Sequence, residues 1–248
     1  MINEFLKQVV PPLTGEELFD QLTDVVYFIK DAKGAYLVVN KTLVVRCRMK
    51  DKRELLGRTP EEVLQAPLGQ QFADQDQAVL RTGIPLLSQL ELHVHPSGAV
   101  GWCLTTKLPL RNSRHQVIGL MGVSQDLRLP NYETQEYRQV VAAIRHAEQN
   151  VSSPPSIGEL AQIAEMSIYQ LDRRMQHVYG LTTGQWLLKV RIDTAQRLLR
   201  ETSLPVVVVA HEAGYTDQSA FSRHFRKATG LTPREYRSTC QKSIAEPS

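Results

Sequence analysis

Apolar residues come in short β-branched or aromatic runs in the first half of the chain, and at spacings of three and four in the second. Segments 25–29 and 35–40 flank Asp31-Ala32-Lys33-Gly34, which predicts a hairpin. Short helices are expected over 14–23, 41–49, 51–56, 60–65 and 74–82, with Gly57 and Gly83 ending two of them. Leu90, Leu92 and Val94 then alternate with Gln89, Glu91, His93 and His95, the period of a half-buried strand whose polar set faces water. Segments 101–110 and 116–125, joined by Arg111-Asn112-Ser113-Arg114, complete a set of five strands.

Beyond Leu129-Pro130 the period changes. Tyr137, Val140, Ile144 and Ala147, with Val151 after them, form a heptad stripe on a helix over 133–150. That stripe predicts pairing between two copies of the chain. Val151-Ser152-Ser153-Pro154-Pro155 breaks the helix, because proline cannot continue it. Ser156-Ile157-Gly158-Glu159 reads as a capping box opening a helix over 157–165, and Ser167 as the cap of another over 168–179. Residues 183–202 read as one long helix, with Trp186, Leu187, Val190, Ile192, Ala195, Leu198 and Leu199 inward. Its 20 residues span roughly 30 Å.

Two short helices follow within 207–230. The first is apolar and stops at Gly214, and Asp217 stands where the second needs a cap. Phe221, Phe225 and Ala228 give the second a buried stripe, which leaves Gln218, Ser219, Ser222, Arg223, Arg226 and Lys227 outward. This unit occurs twice. Leu171-Asp172-Arg173, Met175, Gly180-Leu181-Thr182 and Trp186 match Phe221-Ser222-Arg223, Phe225, Gly230-Leu231-Thr232 and Tyr236 at an offset of 50, while Ala161 and Ala164 match Ala210 and Ala213 at 49. A helix pair joined by a tight turn, the second helix polar and basic outward, is the pattern that enters the DNA major groove.

On these residues the stretch 156–240 resembles the DNA-binding domain of AraC/XylS-type transcription regulators. Glu165 stands in place of the family's usual turn glycine, Ile168 of a frequent proline, and Arg174 of an often apolar residue. The resemblance implies base reading by Tyr169, Gln170, Asp172 and Arg173 in the first motif, and by Gln218, Ser219, Ser222 and Arg223 in the second. Arg suits guanine, Gln adenine and Tyr a thymine methyl. Lys189, Arg191, Arg226, Lys227, Arg234 and Arg237 are candidate phosphate contacts, which position without specifying. The stretches 26–40, 54–58, 73–83 and 117–126 resemble a PAS domain. The expected architecture is therefore an α+β PAS-like five-stranded antiparallel sheet over 1–130, then a connecting helix and linker over 131–155. An all-α domain with two helix-turn-helix motifs joined by a long helix follows over 156–240, and a tail over 241–248.

Charge agrees with this division. Residues 167–240 hold 11 Lys/Arg against 6 Asp/Glu, and residues 1–130 hold 15 against 14, so most of the net +3 lies in the second half. Cys47, Cys103 and Cys240 lack metal or disulfide spacing, and the N-terminal residues lack a secretory pattern, so a cytoplasmic setting is expected. None of the cysteines has the Pro-Cys-His context of the DNA-repair alkyl transferases that carry a similar domain, so no catalytic residue is assigned. His93 and His95 share a strand face without a third metal ligand. By PAS resemblance haem and flavin are disfavoured, since no histidine precedes His93 and Cys47 lies outside the flavin photosensor motif. An organic ligand between sheet and helices, or a closed core serving dimerisation, is left open. The implied partners are double-stranded promoter DNA, RNA polymerase and a second copy of the chain, with no membrane.

Overall fold

The computed structural model describes residues 14–64, 67–94, 100–127 and 134–245. Two compact units divide the chain at Asp126/Leu127.

In the N-terminal unit, helix α1 (Glu16–Phe19) leads into β1 (Val25–Asp31) and β2 (Tyr36–Val39). The hairpin closes where Asp31 Oδ1 accepts from the Lys33 and Ala35 amides. Helices α2 (Lys41–Arg46), α3 (Pro60–Val63) and α4 (Leu68–Thr82) follow, then β3 (Leu86–Val94), β4 (Val100–Arg111) and β5 (Val117–Asp126). The five strands form one antiparallel sheet in the order β2-β1-β5-β4-β3. Asn40 pins the corner. It is fully buried, caps α2 through Leu43 N, accepts from Tyr27 N at 3.0 Å, and donates to the Phe19 and Val25 carbonyls. All the hydrogen-bonding capacity of a buried amide is thereby used. Val26, Phe28, Val39, Leu43, Leu55 and Leu120 form the centre of the core.

Helix α4 begins six residues earlier than the apolar pattern suggests. Gly69 lies inside the helix, and a Cβ there would come within 2.7 Å of the Pro60 and Leu64 carbonyl oxygens. The glycine lets α3 and α4 approach closely, so packing overrides propensity.

The polar face of β3 is the second correction. His93 and Glu91 are not solvent-facing: they are 5% and 1% exposed, while Leu90 and Leu92 on the opposite face are also buried. Alternation separates two faces without saying which meets water, and here the polar face finds partners under α4. Gln75 Nε2 donates to Glu91 at 2.6 Å, and His93 Nε2 lies 2.8 Å from Asp126 Oδ1. His95 lies outside the described residues. Between this face and the helices is a cavity of about 60 Å³.

The C-terminal unit holds α5 (Gln135–Gln149), α6 (Ile157–Ile163), α7 (Ile168–Tyr179), α8 (Thr183–Glu201), α9 (Val206–Glu212), α10 (Gln218–Thr229) and α11 (Pro233–Ala245). Helix α5 belongs to this unit, because it packs on α6 and α7. Val140, Ile144 and Ala147 are buried by those contacts and Tyr137 is half-buried. The stripe expected to pair two chains is thus consumed inside one chain. A heptad spacing marks an apolar face and leaves open which helix covers it. The division at Asp126/Leu127 lies near the expected end of the first domain at 130, the expected connector falls within the second unit, and the expected tail is helical as far as Ala245.

Candidate nucleic-acid interface

The two helix-turn-helix units are built with the same local chemistry. At the first turn Glu165 N donates to Gln162 O and Met166 N to Ala161 O; at the second, Gly214 N donates to His211 O and Tyr215 N to Ala210 O. Both turns need one left-handed residue, with φ 54° at Glu165 and 79° at Gly214. At Gly214 a Cβ would also overlap the Val151 carbonyl oxygen and press on Pro154 at 3.0 Å. Glu165 carries a side chain in this backbone region at a cost of about 1–2 kcal/mol. Glu165→Gly should therefore stabilise the C-terminal unit by roughly 1 kcal/mol, less the entropy glycine gains in the unfolded chain. Urea unfolding of the whole protein measures it, and an unchanged or lower midpoint contradicts the strain.

Ser167 opens α7 through a reciprocal capping box with Gln170, and Asp217 opens α10 by accepting from Ser219 N and Ala220 N. Those two amide hydrogen bonds hold the Asp217 carboxyl below the usual carboxylate range. Gly180 and Gly230 end both helices left-handed, and Thr182–Gln185 and Thr232–Glu235 repeat one capping box at the start of α8 and α11. Leu171, Met175 and Val178 are buried in α7, as Phe221, Phe225 and Ala228 are in α10. The N-terminal ends of α7 and α10 are left outward. Helix α8, 19 residues long, separates the two motifs by roughly 28 Å along its axis.

The expected base-reading residues fall into two groups. Tyr169 (74% exposed), Arg173, Gln218, Ser219 and Arg223 are exposed on these ends. Gln170 also faces outward, but its carboxamide oxygen accepts from Ser167 N at 2.9 Å. Asp172 is half-buried and already engaged. Its Oδ1 accepts from Thr183 N at 2.8 Å and ties α7 to the first turn of α8, where a carboxylate meets unpaired amides. The repeat explains the exchange: fifty residues on, Ser222 replaces Asp172 and Pro233, which has no N–H, replaces Thr183. Ser222 itself is half-buried.

The phosphate candidates divide likewise. Arg226, Lys227 and Arg234 are exposed. Lys189 pairs with Asp193 at 2.6 Å. Arg191 and Arg237 are structural, one bracing each end of α9. Arg191 Nε donates to Ala213 O at 3.0 Å, its Nη2 to Gly214 O at 2.7 Å, and its guanidinium lies 3.7 Å from the Tyr215 ring centre. Arg237 Nη2 donates to Leu204 O at 2.6 Å. Sequence reasoning saw cations on a basic domain, whereas their partners are backbone carbonyls 22 to 33 residues away. No such pairing has a sequence signature.

Comparison with known proteins matches both units. Residues 160–239 match a helix-turn-helix domain family, and residues 19–129 a PAS fold family. The chain is 29% identical over 114 residues to "Probable transcriptional regulator LumQ" of Photobacterium leiognathi, covering 46% of each chain. It is 33% identical over 88 residues to the arabinose operon regulatory protein of Escherichia coli, covering 36% of this chain and 30% of that one. A transcriptional regulator structure from Chromobacterium violaceum, of AraC-type DNA-binding domain, is 27% identical and covers 45% of this chain and 96% of that one, with a TM-score of 0.40. The chain spans less than half the length of these two curated relatives.

Proposed function

We propose that this chain, which carries an AraC-type helix-turn-helix domain behind a PAS-fold domain, is a transcription regulator: it binds promoter DNA sequence-specifically and its PAS-fold domain receives a signal. The doubled motif carries the reading. Two helices, each opened by a side-chain cap and closed by a left-handed glycine, expose their N-terminal ends, and the helix between the motifs is roughly 28 Å long, which suits two successive major grooves. Tyr169 and Arg173 read bases from α7, and Gln218, Ser219 and Arg223 read them from α10. Arg226, Lys227 and Arg234 hold phosphates.

Because Gln170 and Asp172 serve caps, the subsite of α10 supplies most of the sequence discrimination. A randomised operator bound by the whole protein tests this, with information concentrated in one half-site as the expected result. Arg223→Ala should cost about 1–3 kcal/mol on the preferred site and relax one base pair. Equal losses on preferred and random DNA would make Arg223 a phosphate contact.

Two of the three cysteines, Cys47 and Cys103, suit a role in packing rather than nucleophilic chemistry. Burial pushes the Cys47 thiol up to about 11 and the Cys103 thiol higher still, the reverse of what a nucleophile needs. No described helix is long and apolar enough to cross a membrane, which suits action on the chromosome in the cytoplasm. Pairing of two chains, if it accompanies this function, uses surfaces other than the α5 stripe; sedimentation of the full chain reads it. RNA polymerase is the natural second partner of a promoter-bound regulator.

A further inference from the structure

Two buried ammonium groups of the N-terminal unit, Lys30 and Lys107, border its cavity and share one carboxylate, Asp76. Among the described residues, Lys30, Lys107, Arg46 and the imidazole of His93 line the cavity, with Glu91 as the lining carboxylate. The carboxylates that neutralise the cations do not border the cavity. Asp76 takes Lys30 and, at 2.6 Å, Lys107; Asp126 takes Arg46 at 2.6 Å and His93 at 2.8 Å. Both lysines are 2% exposed. An ammonium has three donors. Lys30 gives one to Asp76 and lies 4.2 Å from the Tyr36 ring centre, while Lys107 gives two, to Asp76 and to Phe72 O at 3.2 Å. Donors therefore remain on both. Glu91 is already engaged through both oxygens, by Gln75 and by Thr105. Val26, Phe28, Leu43, Leu64 and Phe72 give the rest of the lining an apolar side, and the Thr105 and Ser124 hydroxyls, which bond each other, lie on another.

Buried ammonium donors bordering a small space with an apolar side call for an acceptor that is itself charged and carries an apolar body. We propose that this cavity binds a small organic monocarboxylate, its carboxylate on Lys30 and Lys107 and its hydrocarbon part between Phe28, Leu64 and Phe72. The proposal rests on the sensor reading of the N-terminal domain. The volume of about 60 Å³ corresponds to roughly four to six water positions, the space of an acid with about four or five carbons. An inorganic anion of similar charge would leave the apolar walls without a partner. A neutral amide of the same shape would lack the charge the lysines favour.

The test is calorimetric titration of the full-length protein with acid–amide pairs, running from acetate and acetamide through isobutyrate and isobutyramide to benzoate and benzamide. The middle acid is expected to bind best, at least about tenfold tighter than its amide. Lys107→Met, which leaves Asp76 paired with Lys30, should weaken the acid by a similar factor. Glu91→Gln keeps the side chain's shape and removes the negative lining charge, so it should tighten the acid about tenfold and leave the amide unchanged. Absence of binding by every acid, amides equal to their acids, or no gain from Glu91→Gln would each overturn the proposal. Promoter affinity measured with and without isobutyrate separates the underlying reading: an acid that binds and leaves DNA affinity unchanged removes the sensor role while the ligand class stands.

Discussion

Val140→Asp should unfold the first helix-turn-helix rather than separate two chains. Val140 is 0% exposed and lies on the face of α5 that packs on α6 and α7, with Ala143, Ile144 and Ala147 buried alongside. A carboxylate there has no designated partner among these apolar neighbours, and an isolated buried charge is neutralised or expelled at a cost of several kcal/mol. Together with the lost apolar contacts the expected destabilisation is about 4 kcal/mol, a large part of an ordinary domain's stability. The measurement is urea unfolding followed by tryptophan fluorescence, because Trp186 at the start of α8 lies against Tyr179 of α7, ring centres 5.9 Å apart, and reports this region. DNA binding should fall with it. A variant that keeps the parent's midpoint but sediments as a smaller species would restore the intermolecular role of the stripe.

The doubling of the motif, the left-handed turn at Gly214, the Ser156–Glu159 capping box, the caps at Ser167 and Asp217 and the buried stripes of α7 and α10 were legible because they are local. A cap and its acceptor lie three residues apart, and a stripe repeats every three or four, so sequence spacing carries them. The five strands were legible for the same reason. What escaped has its cause at long range. Asp172 is read as a base contact until Thr183 N is seen beside it, and Arg191 as a phosphate contact until α9 ends against it. Glu91 and His93 look solvated until α4, with Gln75 and Asp76, covers their face. A polar residue on a helix or strand can serve solvent, ligand or another segment's backbone, and only the third dimension distinguishes these.

That ambiguity makes Arg191 the most informative single residue in the candidate interface. Arg191→Ala removes two hydrogen bonds from a cation to the carbonyls that end α9, and takes the guanidinium away from Tyr215. Hydrogen bonds to charged groups contribute about 1.5–3 kcal/mol each. Solvent reaches the half-buried site and replaces part of that, so the expected loss of stability is about 2–4 kcal/mol. Specific DNA affinity should fall because α10 loses the turn that aims it, and Tyr215, itself packed on Phe221, loses its cover. The salt dependence of the remaining binding should stay as in the parent. A phosphate contact would behave in the opposite way, with parental stability, uniform weakening on all sequences, and a salt slope smaller by about 1. Arg191→Lys discriminates further: it keeps the charge but cannot donate in a planar fork to Ala213 and Gly214 together, so it should resemble the alanine variant more than the parent. Full rescue by lysine would return Arg191 to the DNA backbone.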